Sequence, residues 1–319
     1  MSSMPGVDVS VRELEAYRSS VTMPDDFDRF WEQELETLRE IPMQIERNPI
    51  PAYVRNVEME DIRYLSHGAL VHKATFIKPT TIDCSLPVVV LYHGYNWNTH
   101  EPHIAMKYVV QGMAVLLVET RDQGMDPEQS LLMPLGGAAG WMTRGIFKKE
   151  TYYYTRVMLD AVRALDVALM LSGAKSAIVE GGSQGGGIAL GVSALHPKVK
   201  AALVDIPFLC DMPRGVELAT DGPYLEISHY FKVHDPLHEA EARLYDTLRY
   251  VDGINFARRI TCPVMVGIGL LDEVCPPSTG YALFRELSGE KAFRVYPEYG
   301  HGLSSRHEEE KLKFIAPLL

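Results

Sequence analysis

Ser183 lies in Gly181-Gly182-Ser183-Gln184-Gly185, between the apolar run Ala177-Ile178-Val179 and the helix-forming Gly187-Ile188-Ala189-Leu190. A strand, a small-residue turn and a helix this closely spaced leave the backbone few choices. The serine must sit on a sharp, strained turn at a sheet edge with its hydroxyl exposed, and neighbours without a Cβ let strand and helix approach. The first helical amide, that of Gln184, then lies where it can stabilise an oxyanion. The G-x-S-x-G pattern is common on its own, so its meaning depends on what else agrees.

A serine nucleophile needs a base and an orienting acid, and α/β-hydrolases carry them in the chain order Ser, Asp or Glu, His. The short apolar run Val264-Met265-Val266-Gly267-Ile268-Gly269 reads as a buried strand, and Asp272 follows its end. Open α/β sheets place ligands at such strand ends. The next strand signal, Phe293-Arg294-Val295-Tyr296, runs into Pro297-Glu298-Tyr299-Gly300-His301-Gly302. His301 therefore falls on a loop at the same sheet edge, with room between the two residues for a helix over about 277–287. Taken singly, Asp272 also fits a helix N-cap and His301 an ordinary loop histidine. A second oxyanion donor belongs in the loop after the strand Val88-Val89-Val90-Leu91-Tyr92, and His93-Gly94-Tyr95-Asn96 fills that slot. The Tyr95 N–H would join that of Gln184, each contributing on the order of 3 kcal/mol in a transition state.

Around these signals, a polar N-terminal arm precedes a helix over about 28–40, whose Phe30, Trp31, Leu35 and Leu38 follow the helical period together with Phe27. Residues 53–64 and 70–77 flank Ser66-His67-Gly68 as a hairpin. Further strands at 115–118, 177–179 and 201–204 alternate with helical stretches, notably 154–171, as a mainly parallel sheet requires. From about 207 to 260 the pattern turns helical and Pro-interrupted. The fold class is therefore α/β, an α/β-hydrolase fold with a mostly parallel central sheet flanked by helices and a small helical cap insertion. Residues 1–319 read as one such domain, with an N-terminal helical arm over 1–45 and the cap over about 207–260.

Composition narrows the function. At 319 residues and 46% hydrophobic content the chain can bury a full core. A formal charge of −11 argues against nucleic acid or an anionic membrane as partner, since phosphate binding needs a basic face. No basic-then-apolar leader opens the sequence and no run approaches about 18 apolar residues, so a cytoplasmic location is expected. The four cysteines, Cys84, Cys210, Cys262 and Cys275, show neither C-x-x-C spacing nor disulfide density and read as free thiols. The eleven histidines form no ligand cluster, so no metal is expected.

Several motifs together resemble carbohydrate esterase family seven, the acetyl xylan esterases and cephalosporin C deacetylases. They are His93-Gly94-Tyr95-Asn96, Arg121-Asp122-Gln123-Gly124, Gly140-Trp141-Met142-Thr143-Arg144-Gly145-Ile146, Tyr152-Tyr153-Tyr154, the Ser183 turn, and Asp272 with Cys275-Pro276-Pro277-Ser278-Thr279. The resemblance covers essentially the whole chain, including Pro223-Tyr224-Leu225-Glu226-Ile227. It implies a cofactor-independent serine esterase that removes acetyl groups from acetylated xylo-oligosaccharides and other small acetyl esters, cephalosporin C included, through Ser183, His301 and Asp272 and an acetyl-enzyme. It further implies that Phe208, Pro223 and Cys275 line an acetyl-sized pocket. A doughnut-like homohexamer is also implied, with residues 136–146 helping to build subunit contacts.

Three positions depart from what is usual. Asp122 and Gly302 stand where the family carries Gly and Glu, and Glu180 ends a buried strand where an apolar or small residue belongs. If the missing Glu paired with Arg121, Asp122 in a left-handed turn would be its replacement; a solvent-exposed Asp122 is the alternative. Other functions fit less well. A general short-chain carboxylesterase shares every residue named. A prolyl oligopeptidase-type peptidase needs a large N-terminal propeller, and a silent hydrolase-fold scaffold would have lost a member of the triad.

Overall fold

A computed structural model describes residues 7–97, 101–123 and 140–319. Gly124 of the quoted motif and residues 136–139 of the proposed subunit-contact segment lie outside the described residues. The chain opens with α1 (Val11–Ala16) and α2 (Phe27–Glu40). The apolar stripe of α2 is buried, and the Trp31 indole N–H donates to the Tyr250 carbonyl at 3.0 Å. That bond ties the N-terminal arm to a segment more than two hundred residues away.

The strands are β1 (Glu46–Ile50), β2 (Val57–Leu65), β3 (Val71–Pro79), β4 (Val88–Tyr92), β5 (Val115–Val118), β6 (Ala177–Gly182), β7 (Val199–Asp205), β8 (Val264–Gly269) and β9 (Lys291–Tyr296). Among the described residues they form one sheet in the order β1-β2-β3-β5-β4-β6-β7-β8-β9. Pairings from β1 to β5 through β2 and β3 are antiparallel, and those from β5 through β4 to β9 are parallel. Every residue of β4, β5 and β8 is buried, because both faces are covered, as an apolar run without alternation requires. Val88, Val90 and Tyr92 enter one core with α4 (Tyr153–Ser172) and α5 (Gln184–Leu195). Val89 and Leu91 enter the other, with Tyr108 of α3 (Met106–Val109) and Ile315 of α11 (Arg306–Ile315).

Between β7 and β8 lie α6 (Met212–Leu218), α7 (Tyr224–His234), α8 (Glu241–Leu248) and α9 (Gly253–Ala257), and α10 (Pro277–Glu286) joins β8 to β9. The hairpin expected over 53–77 is β2 and β3, beginning only at Val57. The elements not anticipated from the sequence are α1, β1 and α3, which are short, and α11, whose buried residues include the polar His307 and Lys311; β1 reads Glu-Arg-Asn-Pro-Ile and is exposed along most of its length.

The expectation for Asp122 is overturned. Arg121 pairs with Asp160 of α4, Nε to Oδ2 at 2.5 Å and Nη2 to Oδ1 at 2.8 Å, a two-pronged contact of buried groups. Asp160 also accepts from Ser66 Oγ at 2.6 Å and lies 3.1 Å from His72 Nε2, so one carboxylate joins α4 to the hairpin and to the loop after β5. Asp122 adopts the left-handed conformation at φ 61°, but its side chain is 2% exposed and comes only within 4.0 Å of Arg144 Nη1. It is neither the partner of Arg121 nor a solvated residue, because α4 supplies the arginine's carboxylate from a distant part of the sequence.

Burial opposes ionisation of Asp160, but Arg121 and His72 outweigh it and hold the carboxyl below its usual range. The stabilisation is complete above the unfolded carboxylate pKa of about 3.9 and is lost as pH falls below it. Asp160→Asn leaves a buried guanidinium without its counter-charge and should cost about 3 to 5 kcal/mol at pH 7 in urea unfolding. The difference from the native chain should shrink towards pH 3; a pH-independent loss below about 1 kcal/mol would refute this account.

Candidate active site

The turn between β6 and α5 holds Ser183 at φ 55°, ψ −119°, a conformation costly for a residue with a side chain. Its geometry depends on two glycines. A Cβ on Gly185 would stand 2.0 Å from the Tyr92 carbonyl oxygen, and one on Gly181 would stand 2.2 Å from the Gly185 carbonyl carbon. Helix α5 thus sits against β4 and β6 at backbone contact. The turn is tied down further by Ser183 N–H donating to Asp205 O at 2.9 Å, and by Phe208 and Gly187 amides donating to the Ser183 carbonyl at 2.9 and 3.1 Å.

Asp272 and His301 arrive on the loops after β8 and β9. His301 Nε2 lies 2.9 Å from Ser183 Oγ, and its Nδ1 lies 2.9 and 3.0 Å from the two Asp272 carboxylate oxygens. Asp272 is 1% exposed and accepts the Val274 and Cys275 amides at 2.9 and 2.8 Å, which fix its orientation. A proton held on Nδ1 by this carboxylate leaves the Nε2 lone pair facing the serine hydroxyl.

Gln184 is the first residue of α5, where an amide has no partner inside the helix. Tyr95 follows β4, whose Tyr92 is in register with Gly181 of β6. Gln123 connects the two loops. Its Nε2 donates to Gln184 Oε1 at 2.8 Å and to Tyr153 Oη at 2.9 Å, while its Oε1 accepts the Asn96 amide at 2.9 Å. The Tyr95 hydroxyl donates to Glu226 of α7 and accepts the Trp141 amide at 3.0 Å; Glu226 Oε2 also accepts the Met142 amide at 3.0 Å. Burial, and then Glu226, push the Tyr95 phenol up, so it remains the donor in this pair. Gln123 and Glu226 both stood in quoted motifs. Nothing in the order of residues along the chain assigned them to the Tyr95 loop, because each reaches it from another element.

A cavity of about 380 Å³ opens over the serine, walled by Tyr95, Trp97, Ile206, Pro223 and Val274 around Ser183 and His301. Pro223 therefore borders it. Phe208 does not: it is fully buried one layer behind, edge-on to Tyr95 at 6.2 Å and to Tyr224 at 4.4 Å between ring centroids. Cys275 does not border the cavity either: it is buried with its thiol in hydrogen-bond contact with the Ser183 side chain, and burial and then the Asp272 charge push that thiol well above its ordinary value.

Glu180, one residue before the glycine pair, meets three donors that sequence order does not disclose: Lys107 Nζ at 2.9 Å, Lys311 Nζ at 2.7 Å and Tyr108 Oη at 2.5 Å. Burial disfavours its charge, but Lys311 and Lys107 outweigh that and hold the carboxyl low. Two groupings among the described residues bring acidic and other ligand atoms close together, Asp272 with Cys275 and His301, and Glu180 with Asp205 and Glu308. The imidazole and serine use the first, and the Lys311 ammonium already occupies the second. No helix among the described residues is long and apolar enough to cross a membrane.

A family profile described as acetyl xylan esterase (AXE1) matches residues 4–318. The chain is 29% identical over 298 residues to acetyl esterase Axe7A of Xylanibacter ruminicola, covering 88% of this chain and 64% of that protein; it thus spans less than two thirds of the length of this curated relative. Among solved structures, an acetyl xylan esterase from Paenibacillus sp. R4 superposes with a TM-score of 0.92 at 36% identity, covering 97% of this chain and 99% of the other. Acetyl xylan esterase 1 from Thermoanaerobacterium sp. JW/SL YS485 gives 0.91 at 29%, covering 98% and 99%. An acylaminoacyl peptidase of Pyrococcus horikoshii, at 16% identity and TM-score 0.62 over 83% of this chain and 42% of that one, shares the fold alone.

The thiols differ enough to be separated by reagent. Cys84 is exposed, whereas Cys210 and Cys275 are buried and burial pushes the Cys262 thiol up to about 11. A native titration with Ellman's reagent should show one fast thiol that disappears in Cys84→Ser, with the other three reacting only on unfolding. Fast modification of Cys275 would contradict the packing around Asp272.

Proposed function

Because the chain belongs to the acetyl xylan esterase family, we propose that it is a carboxylic ester hydrolase that deacetylates xylo-oligosaccharides and other small acetyl esters, cephalosporin C included. The reading is carried by one observation: the unbroken chain Ser183 Oγ, His301 and Asp272 at hydrogen-bond distances beneath a small, largely apolar cavity. In this mechanism His301 Nε2 takes the serine proton as Oγ attacks the acetyl carbonyl, and Asp272 holds the imidazolium that forms. The Tyr95 and Gln184 amides receive the oxyanion. His301 returns its proton to the departing sugar oxygen, leaving an acetyl ester on Ser183. Water, activated by His301, then attacks that ester and releases acetate. No step calls for a metal or cofactor.

Pro223 and Tyr95, the latter backed by Phe208, limit the acyl side, and the helices between β7 and β8 act as a cap that carries Pro223 over the serine. The proposal extends to a cytoplasmic enzyme made of one catalytic domain, with arm and cap integral to it, assembling as a homohexamer. Those parts rest on the family resemblance and on the arm's anchorage at Tyr250.

Ser183→Ala should lower kcat on p-nitrophenyl acetate by roughly 10⁵ to 10⁶ with the fold intact, and Asp272→Asn by about 10⁴. Retention of a tenth of the activity by the serine variant would remove Ser183 from the chemistry. Chain length supplies an independent test. kcat/KM should drop steeply beyond propionyl esters, since an added methylene that does not fit meets overpacking rather than burial. Comparable rates on acetate and octanoate esters would instead mark a general carboxylesterase.

A further inference from the structure

A second cavity of about 540 Å³ adjoins the first, and Trp97 and Gly182 border both. It lies on the opposite flank of the β6 end from α5, between the residues around α3 and those of α11, and Lys107, Glu180, Asp205, Glu308 and Lys311 face it. We propose that this cavity is the subsite for a neutral sugar ring of the alcohol half of the ester, a subsite that rests on the deacetylase reading above.

The charges decide the class of ligand. Two ammonium groups against three carboxylates sum to −1, which disfavours an anionic group such as a uronate or phosphate. A cation fares little better, since each carboxylate already accepts from a lysine. Lys311 spends its three N–H groups on Glu180, Asp205 and Glu308. Lys107 donates to Glu180 and Glu308 and lies 4.8 Å from the Tyr108 ring centroid, and among the described residues its third N–H meets no hydrogen-bond acceptor. Glu308 takes one lysine on each oxygen and is about half exposed, so each oxygen retains a lone pair. An unspent ammonium donor beside open carboxylate lone pairs matches two adjacent hydroxyl groups, each of which can accept from one and donate to the other. Adjacent hydroxyls are what a pyranose ring presents.

Two further features fit the same ligand. The Trp97 indole is 65% exposed at the boundary of the two cavities, an apolar plate for the C–H face of a sugar ring. Because the cavities meet at Gly182, next to Ser183, an ester whose acetyl carbon is at Oγ can extend its sugar into the second without leaving the protein. The Lys107 donor is held in place before any ligand arrives, since Glu180 at the buried end of β6 and Glu308 of α11 both pair with its ammonium.

The test uses the full chain carrying Ser183→Ala, with unacetylated xylotriose as probe in calorimetry. Saturable binding should appear at millimolar affinity or tighter. Ile104→Trp, which fills the second cavity without touching the first, should weaken it at least about tenfold. Should that variant fail to fold by circular dichroism, Glu308→Gln should weaken binding about threefold by removing the charged acceptor. In the Ser183 enzyme, Ile104→Trp should lower the ratio of kcat/KM for acetylated xylotriose to that for p-nitrophenyl acetate about tenfold. Absence of xylotriose binding, or binding and ratio indifferent to these changes, overturns the subsite. If p-nitrophenyl acetate is not hydrolysed yet xylotriose binds and Ile104→Trp abolishes binding, the esterase reading fails and the sugar site stands. Hydrolysis of the small ester with no xylotriose binding leaves the esterase reading and removes only the subsite.

Discussion

Backbone contact at the Ser183 turn is the constraint on which the rest of the site depends. With Gly185 against the Tyr92 carbonyl and Gly181 against Gly185 itself, β4, β6 and α5 approach more closely than any side chain would allow. That approach sets the serine at φ 55° and brings the Tyr95 loop beside the first amide of α5. The strain is offset by the three hydrogen bonds that the Ser183 backbone makes with Asp205, Phe208 and Gly187. The Gly187 bond is the first turn of α5 itself, whereas Asp205 and Phe208 come from the end of β7 and the loop after it, so the turn is held partly from outside its own sequence.

Around it, polar side chains perform a task that apolar packing cannot. A hydrophobic contact tolerates small displacements, whereas a hydrogen bond weakens steeply with angle. Gln123 grips Gln184 and Asn96 together, and Glu226 grips the Tyr95 phenol against the segment of Trp141 and Met142. The two loops bearing the proposed oxyanion amides are thereby referenced to a shared set of fixed groups. His93 contributes from beneath: its Nε2 accepts the Thr120 amide at 2.9 Å, which leaves the proton on Nδ1 facing Gly94 O at 2.7 Å.

The opposite flank of the β6 end carries a different kind of polarity. Glu180 and Lys311 are buried ions and Asp205 is a largely buried one, a combination that contributes little net stability once desolvation is counted. His307 extends the group, with Nε2 2.8 Å from Asp205 Oδ1 and Nδ1 3.0 Å from the Tyr296 hydroxyl. Asp205 thus holds the Ser183 amide through its carbonyl and Lys311 through its carboxylate. One residue at the end of β7 connects the nucleophile turn to the floor of the second cavity.

Much of the frame was legible in the order of residues. Apolar runs without alternation marked the parallel strands, the glycines marked the turn, and the succession of Ser183, Asp272 and His301 after three strand ends placed them at one sheet edge. These signals are local, and local backbone preference and periodicity suffice to read them. What escaped was set by the approach of distant segments. Arg121 finds its carboxylate on α4 rather than next door at Asp122, Glu180 finds lysines 73 residues before it and 131 residues after it, and Phe208 lies behind the cavity wall instead of in it. By itself the sequence determined which backbone elements form and in what order they meet the sheet edge, because those depend on neighbours within a few residues. Only the tertiary structure decided which charge pairs with which and what lines each cavity. Desolvation makes a buried ion's choice of partner a matter of three-dimensional proximity, to which separation along the chain is no guide.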